Sequence, residues 1–533
     1  MKIGKLVLFL IFCIALFSAS VFAQTTLVAR GAYLQMGTAN AMTIRWRTNT
    51  ATDSRVQFGT IQGALSSTVD DANVTTEHEI RLTNLTANTK YFYSIGSTTQ
   101  ILAGNDANHF FRTSPNPGQA APYRIWILGD SGTADANAQA VRNAYLNYNG
   151  STYTNLLLML GDNAYQNGTD AEYQAAVFDM YPTVLRQTPL WSTIGNHDTA
   201  NSTAPPSSLP YFQMFTLPTS AEAGGVASGT EKYYSFNYGN IHFVCLDSMT
   251  SSRATNGAML TWLQNDLAQN IQPWVVAFWH HPPYSKGSHN SDTETQLVEM
   301  RQNVLPMLES YGVDLVLSGH SHSYERSFLI DGHYGTSSTF TDAMKKNAGG
   351  GRENIDGAYT KSALSPNLPN EGAVYAVAGS SAVISGGLLN HPAMFISLNN
   401  LGSMVLDVNG DRLDAKFLRE NGTIADYFTI IKGGGVSQPL PPNAPTNLTA
   451  TAVSPSKINL SWTDNSDNET GFKIESCRGV NCTNFAPFTT VGANVTSASN
   501  INLKKRTTYR YRVRAFNADG NSDYSNIASA KTF

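Results

Sequence analysis

Apolar and polar positions along the chain keep different rhythms in different stretches. Between 28 and 115 the segments are short and alternate with period two, as in Met42-Thr43-Ile44-Arg45-Trp46-Arg47 and Tyr91-Phe92-Tyr93-Ser94-Ile95. That is the rhythm of half-buried strands, and its spacing predicts a small β-sandwich. Residues 445–533 return to it. Ile458-Asn459-Leu460-Ser461-Trp462 and Thr508-Tyr509-Arg510-Tyr511-Arg512-Val513 supply a Trp-ended early strand and a Tyr-rich late one, the pair that pins such a sandwich.

The long middle stretch, about 120–432, reads differently. Continuous apolar runs at Tyr123–Leu128, Leu156–Leu160 and Leu190–Ile194 predict buried strands. Ala134–Asn147 and Ala171–Leu185, between them, carry helical patterning. This βαβαβ order predicts a sheet covered by helices. A hairpin-like pair follows (Tyr233–Tyr238, Ile241–Asp247), then a helix near Met259–Ala268 and a strand at Trp274–Trp279. A helix near Glu294–Ser310, a strand at Val313–Leu317 and antiparallel strands over 373–432 complete the stretch. The predicted class is α/β, a two-sheet sandwich flanked by two all-β sandwich domains.

The ends refine this picture. Lys2 and Lys5, an apolar Val7–Phe17 and Val21-Phe22-Ala23 have the form of a secretory signal over 1–23. The expected location is therefore secreted, periplasmic or extracellular. Loss of that segment leaves 33 Lys and Arg against 39 Asp and Glu, a net of about -6 without basic runs. Such a balance argues against nucleic-acid or anionic-membrane binding through charge. Cys477 and Cys482 predict a local disulfide in an exported chain, and Cys245, within an apolar run, a buried thiol. Asn84, Asn167, Asn201 and Asn447 head Asn-x-Ser/Thr sequons. Gly433-Gly434-Gly435 through Pro445 reads as a linker. The expected boundaries are 24–118, 119–432, a linker at 433–444, and 445–533.

Five blocks carry the chemistry. They are Gly129-Asp130-Ser131-Gly132, Gly161-Asp162-Asn163-Ala164-Tyr165, Gly195-Asn196-His197-Asp198, His280-His281-Pro282-Pro283-Tyr284 and Gly319-His320-Ser321-His322. Each follows a predicted strand, where ligands of open α/β sheets gather. Together they offer carboxylate, phenolate, amide and imidazole groups, the donor set of a two-metal hydrolytic site. The glycine before four of the blocks is expected to let the backbone turn sharply and approach the ions.

The blocks resemble those of the calcineurin-like metallophosphoesterases, and Tyr165, three residues after Asp162, narrows the resemblance to purple acid phosphatases. Ala277 stands where that family's pattern has Val, and the flank Ser323-Tyr324-Glu325-Arg326 also looks like the family. The two terminal segments resemble fibronectin type III modules, the C-terminal one more closely. The resemblance implies Fe(III) held by Asp130, Tyr165 and His322, and a divalent ion (Zn, Fe or Mn) held by Asn196, His280 and His320. Asp162 would bridge the pair. It further implies that His289 contacts substrate. His197, next to Asn196, is expected to bind phosphate or protonate the leaving oxygen, and Asp198 to orient His197 by hydrogen bonding. His281 reads as supporting or structural, and His242 as a satisfied core residue.

The expected function is a secreted dinuclear-metal acid phosphatase that hydrolyses phosphate monoesters by attack of a metal-bound hydroxide. A phosphodiesterase or nucleotide-sugar hydrolase on the same site is the alternative. A cell-surface adhesion protein is the alternative from another class, and it would have broken ligand positions where this chain has none. The expected partners are a phosphate ester and, through the C-terminal module, a polysaccharide or surface, with no nucleic acid and no membrane span after the signal is removed.

Overall fold

A computed structural model describes residues 25–199, 208–362, 367–433, 442–466, 468–517 and 520–533. The signal-like segment, the sequon at Asn201 and most of the linker lie outside the described residues.

Two seven-stranded sheets form the middle of the protein. The first runs Tyr359–Lys361, Ile424–Lys432, Arg412–Arg419, Gly402–Asn409, Tyr123–Leu128, Leu156–Met159, Leu190–Ser192. Its last three strands are parallel neighbours, as the βαβαβ reading requires. The second runs Tyr234–Tyr238, Ile241–Cys245, Trp274–Phe278, Leu315–Ser318, Val374–Ala378, Tyr324–Ser327, Met394–Leu398. Four of these strands are parallel. Alternation within them sorts the core. Phe243, Val276, Phe278, Leu315 and Leu317 pack with the first sheet. Val244, Val275, Ala277 and Val316 pack with Leu260, Leu263, Val304 and Leu308 of the covering helices. A sheet buried on both faces has no polar side to show, which is why these strands read as unbroken apolar runs.

The helices follow their local chemistry. Ala136–Asn149 starts at Asp135, whose carboxylate accepts from the Asn137 and Ala138 amides, and ends at Gly150. The other two long helical predictions are interrupted. Ala171–Leu185 becomes Asp170–Tyr173, a wide turn at Gln174–Phe178, and Pro182–Leu185. Glu294–Ser310 becomes Thr295–Glu299, a wide turn at Met300–Val304, and Leu305–Ser310. A proline cannot donate to the preceding turn, so Pro182 and Pro306 each open a new segment.

Two buried ion pairs tie the sheets together. Arg326 of the second sheet holds Asp426 of the first at 2.6 Å, and the Tyr324 hydroxyl donates to the same carboxylate at 2.8 Å. Asp314, which leads into Leu315–Ser318, takes both Lys361 and Lys432 at 2.7 Å. Burial opposes charge on Lys432 and lowers its pKa to about 8, while Asp314 works the other way.

The N-terminal strands join into one hydrogen-bonded sheet. Bulges between Arg47 and Ser54 bend its longest strand, Met42–Gly59. Trp46, Tyr93 and Phe111 pack in its core. It leans on the central domain through Asp170, which takes Arg47 at 2.6 Å and Arg30 at 3.2 Å. The C-terminal module has two sheets around Trp462, Phe472 and Tyr511, with Cys477 bonded to Cys482 as expected. Cys245 is a buried free thiol.

Asp314→Ala should leave two buried ammonium groups without a counter-charge. A loss of about 3–5 kcal/mol is expected, read as an earlier urea midpoint for the central domain.

Candidate metal centre

The five blocks begin where parallel strands end. Asp130 lies two residues past Tyr123–Leu128, Asp162 three past Leu156–Met159, and Asn196 four past Leu190–Ser192. His280 and His320 each lie two past Trp274–Phe278 and Leu315–Ser318. The turns that follow aim these side chains at one place between the edges of the two sheets.

Backbone strain sits on the chemical residues themselves. Asp130, Asp162 and His320 have φ of 55°, 52° and 67°, the left-handed region that non-glycine residues rarely occupy. Of the four block-leading glycines only Gly161 has a positive φ, 91°. The others are needed for space. A Cβ on Gly195 would lie 2.3 Å from Asp162 Oδ1, and one on Gly319 would lie 2.4 Å from Asp130 Oδ2. The expectation of sharp turns thus holds at Gly161 and is corrected elsewhere: Gly195 and Gly319 admit a neighbouring carboxylate, and Gly129 the Ala378 carbonyl.

The donor atoms fall into two groups. In the first, the Tyr165 hydroxyl lies 3.2 Å from Asp130 Oδ1 and 3.3 Å from His322 Nε2. In the second, Asn196 Oδ1 lies 3.0 Å from His280 Nε2 and 2.9 Å from His320 Nδ1. Asp162 stands between them, with Oδ2 3.1 Å from Tyr165 and Oδ1 3.4 Å from His280.

Supports behind the imidazoles fix which nitrogen faces inward. His280 Nδ1 donates to the Leu160 carbonyl at 2.9 Å, leaving Nε2 for the site. His322 Nδ1 meets Ser385 Oγ at 2.8 Å, again leaving Nε2. His320 presents Nδ1, and its Nε2 faces Glu294 at 3.4 Å. Such outer partners set tautomer and orientation in metal sites.

The electrostatics fit cations. Burial, opposed by His280 and reinforced by Asp162, pushes the Asp130 carboxyl well above its ordinary range. Burial and the two carboxylates push the Tyr165 hydroxyl up in the same way. Positive charge beside them would favour the ionised form of both. Burial lowers His320 and His322 to about 4, so both are neutral donors near neutral pH. Burial opposes charge on His280, but Asp162 overcomes it and raises the pKa to about 9. A cation beside Nε2 would replace that proton.

His197 and His289 sit at the rim. His197 packs on Tyr165 with ring centres 4.3 Å apart, and its Nδ1 donates to the Gln166 carbonyl at 2.9 Å. His289 stacks on His320 at 3.7 Å, and its Nδ1 meets Glu294 Oε2 at 2.8 Å.

Asp198 does not orient His197. It is buried and accepts from the Asn163 and Gly195 amides at 3.0 and 2.8 Å, from Asn163 Nδ2 at 3.0 Å and from the Tyr173 hydroxyl at 2.6 Å. The two residues occupy one tight turn, His197–Thr199, which sends neighbouring side chains to different sides. Asp198 thus clamps the Asp162 and Asn196 loops together. His281 is buried, with Nδ1 2.9 Å from Ser248 Oγ. His242 is satisfied by Asp266 and Asn237 at 2.9 and 2.8 Å. Sequence reading missed Glu294, which looked like a helix start, and Ser385, which lies in irregular chain 63 residues from its partner.

Residues 123–324 match the calcineurin-like phosphoesterase family, and residues 30–113 match the purple acid phosphatase N-terminal domain. Over these stretches the chain is similar to the calcineurin-like phosphoesterases, of the purple acid phosphatase kind. Residues 443–531 match the fibronectin type III domain. Purple acid phosphatase 15 of Arabidopsis thaliana is 29% identical over 325 residues, covering 52% of this chain and 57% of that protein. Purple acid phosphatase 23 of the same plant is 29% identical over 279 residues, covering 47% and 57%. The chain thus spans little more than half the length of these relatives. The solved structure of PhoD shares the fold, with a TM-score of 0.53 at 14% identity over 76% of this chain and 90% of that one.

Ser385→Ala should leave the phosphoesterase domain folded and weaken metal retention by roughly 10–100-fold, because His322 loses its outer partner. Metal content after dialysis against a graded chelator series checks this.

Proposed function

We propose that this phosphoesterase is a secreted acid phosphatase that hydrolyses phosphate monoesters at a dinuclear metal centre. The observation that carries the reading is the position of Asp162, whose two oxygens face two separate donor groups. Asp130, Tyr165 and His322 would hold Fe(III), whose hardness suits carboxylate and phenolate. Asn196, His280 and His320 would hold a divalent ion, and Asp162 would serve both. When bound, the ions supply charge to polarise the phosphate and an acidified water as nucleophile.

The chain's own groups do the rest. His197 is oriented through Nδ1, which donates to the Gln166 carbonyl, and in the doubly protonated ring its Nε2 would donate to a phosphate oxygen. His289 is held through Nδ1 by Glu294, and its Nε2 is suited to hand a proton to the departing alkoxide. The Asp198 clamp keeps the loops bearing Asp162 and Asn196 at fixed separation, so the donors need little reorganisation as the reaction proceeds. Export is supported by the signal-like start of the sequence and by the Cys477–Cys482 bond, since such bonds persist in oxidising surroundings. Among the described residues no helix is long and apolar enough to cross a membrane.

Elemental analysis of the purified chain should find about two metal ions, at least one of them iron. Faster hydrolysis of bis(p-nitrophenyl) phosphate than of p-nitrophenyl phosphate would replace the monoesterase reading with a diesterase.

Tyr165→Phe should abolish the visible charge-transfer band of the iron-loaded protein while leaving iron in place. Asp162→Ala should lower the content of both ions and cost activity more than Tyr165→Phe does. A colourless iron-loaded wild type would remove Tyr165 from the ligand set.

A further inference from the structure

Charge is distributed unevenly along this chain. Its total is -4, yet residues 445–533 hold ten Lys and Arg against six Asp and Glu, a net of +4. Much of that excess lies in one stretch, Lys504-Lys505-Arg506-Thr507-Thr508-Tyr509-Arg510-Tyr511-Arg512-Val513-Arg514. It has six cations in eleven residues and no acid. The expectation of a chain without basic runs missed it, because the alternating tyrosines read only as a core strand.

The structure turns the stretch into a surface. In strand Thr508–Asn517, Tyr509, Tyr511, Val513 and Ala515 are buried, and Arg510, Arg512 and Arg514 take the opposite face. Successive outward positions on a strand lie about 6.6–6.8 Å apart. The neighbouring strand Gly471–Arg478 sets Lys473 opposite Arg514 and Glu475 opposite Arg512. Lys504, Lys505 and Arg506 are exposed where the chain enters the ladder.

The face is built rather than scattered. The Arg512 guanidinium lies 3.7 Å above Tyr524 and 4.6 Å from Phe485, and Arg514 lies 4.7 Å from Tyr524. Glu475, the one carboxylate in the ladder, takes Arg512 through Nε and Nη2 at 2.8 and 2.6 Å, both on Oε2, and Arg514 at 3.6 Å. It therefore shows how a guanidinium of this face holds a carboxylate. One acid cannot neutralise Lys473 and three arginines.

We propose that this face docks the enzyme on an acidic, carboxylate-bearing polysaccharide. Regularly spaced planar cations match regularly spaced carboxylates, since guanidinium groups take them in forked pairs. The rings favour this partner over single-stranded nucleic acid. Binding of bases needs free aromatic faces, whereas Tyr524 and Phe485 each give a face to Arg512.

The test uses the full chain and polygalacturonate, with neutral dextran and a dT20 oligonucleotide as comparators. Polygalacturonate should bind at low salt and be released as salt rises. Dextran should not bind, and dT20 should bind more weakly than polygalacturonate. Combined Lys504→Ser, Lys505→Ser, Arg506→Asn and Arg514→Gln should weaken binding about tenfold or more. Asn is chosen at 506 because φ there is 54°. The melting temperature and p-nitrophenyl phosphate hydrolysis should stay unchanged. Lys457→Ser removes a charge from the module's other sheet and should change binding less than about twofold. The proposal is overturned if wild type ignores polygalacturonate, or if the four-residue variant, still folded, binds as wild type does. It is equally overturned if Lys457→Ser weakens binding as much, or if dT20 or dextran binds as well.

Discussion

Crowding of buried carboxylates is the constraint around which the central domain is arranged. Asp130 and Asp162 both lie within hydrogen-bond reach of the Tyr165 hydroxyl, and neither is accessible to water. Left alone, such a cluster is costly in a low-dielectric interior. Its surroundings hold the acids in place. His320 donates its amide to Asp130 Oδ2, and His197 donates its amide to Asp162 Oδ1, both at 2.8 Å. Three residues accept left-handed backbone to make this geometry, and glycines clear the space beside them.

Much of the fold and site was legible in sequence because parallel strands buried on both faces leave uninterrupted apolar runs. The residues that follow such runs are a natural place for chemistry, which drew attention to Asp130, Asp162, Asn196, His280 and His320, while their roles came from the family resemblance. What stayed hidden was the second layer. Glu294 reaches His289 from within one loop, but Ser385 reaches His322 across distant chain, and no local pattern marks that pairing. Asp198 illustrates the opposite error. Adjacency to His197 suggested a partner, whereas the tight turn sends it inward to join two loops. The basic ladder was hidden differently, since its tyrosines signal a strand so strongly that the charges between them drew no separate reading.

The flank Ser323-Tyr324-Glu325-Arg326 shows how one stretch can serve two ends. Glu325 accepts from Ser285 Oγ at 2.6 Å and so braces the loop that follows His280. Arg326 and Tyr324 meanwhile grip Asp426 on the opposite sheet. The same four residues therefore hold the site's edge and the sandwich's interior, so damage to one is expected to reach the other.

The pairing of Tyr123–Leu128 with Gly402–Asn409 has a consequence for how the protein is made. A ribosome delivers Asp130 nearly three hundred residues before the strand that will flank it, and Lys432, which anchors the segment leading to His320, comes later still. Contacts this distant along the chain slow folding. Until the last strand arrives, the first three parallel strands have an exposed edge and an unmatched acidic mouth. Chain in that state would be open to pairing with other chains along the exposed edge.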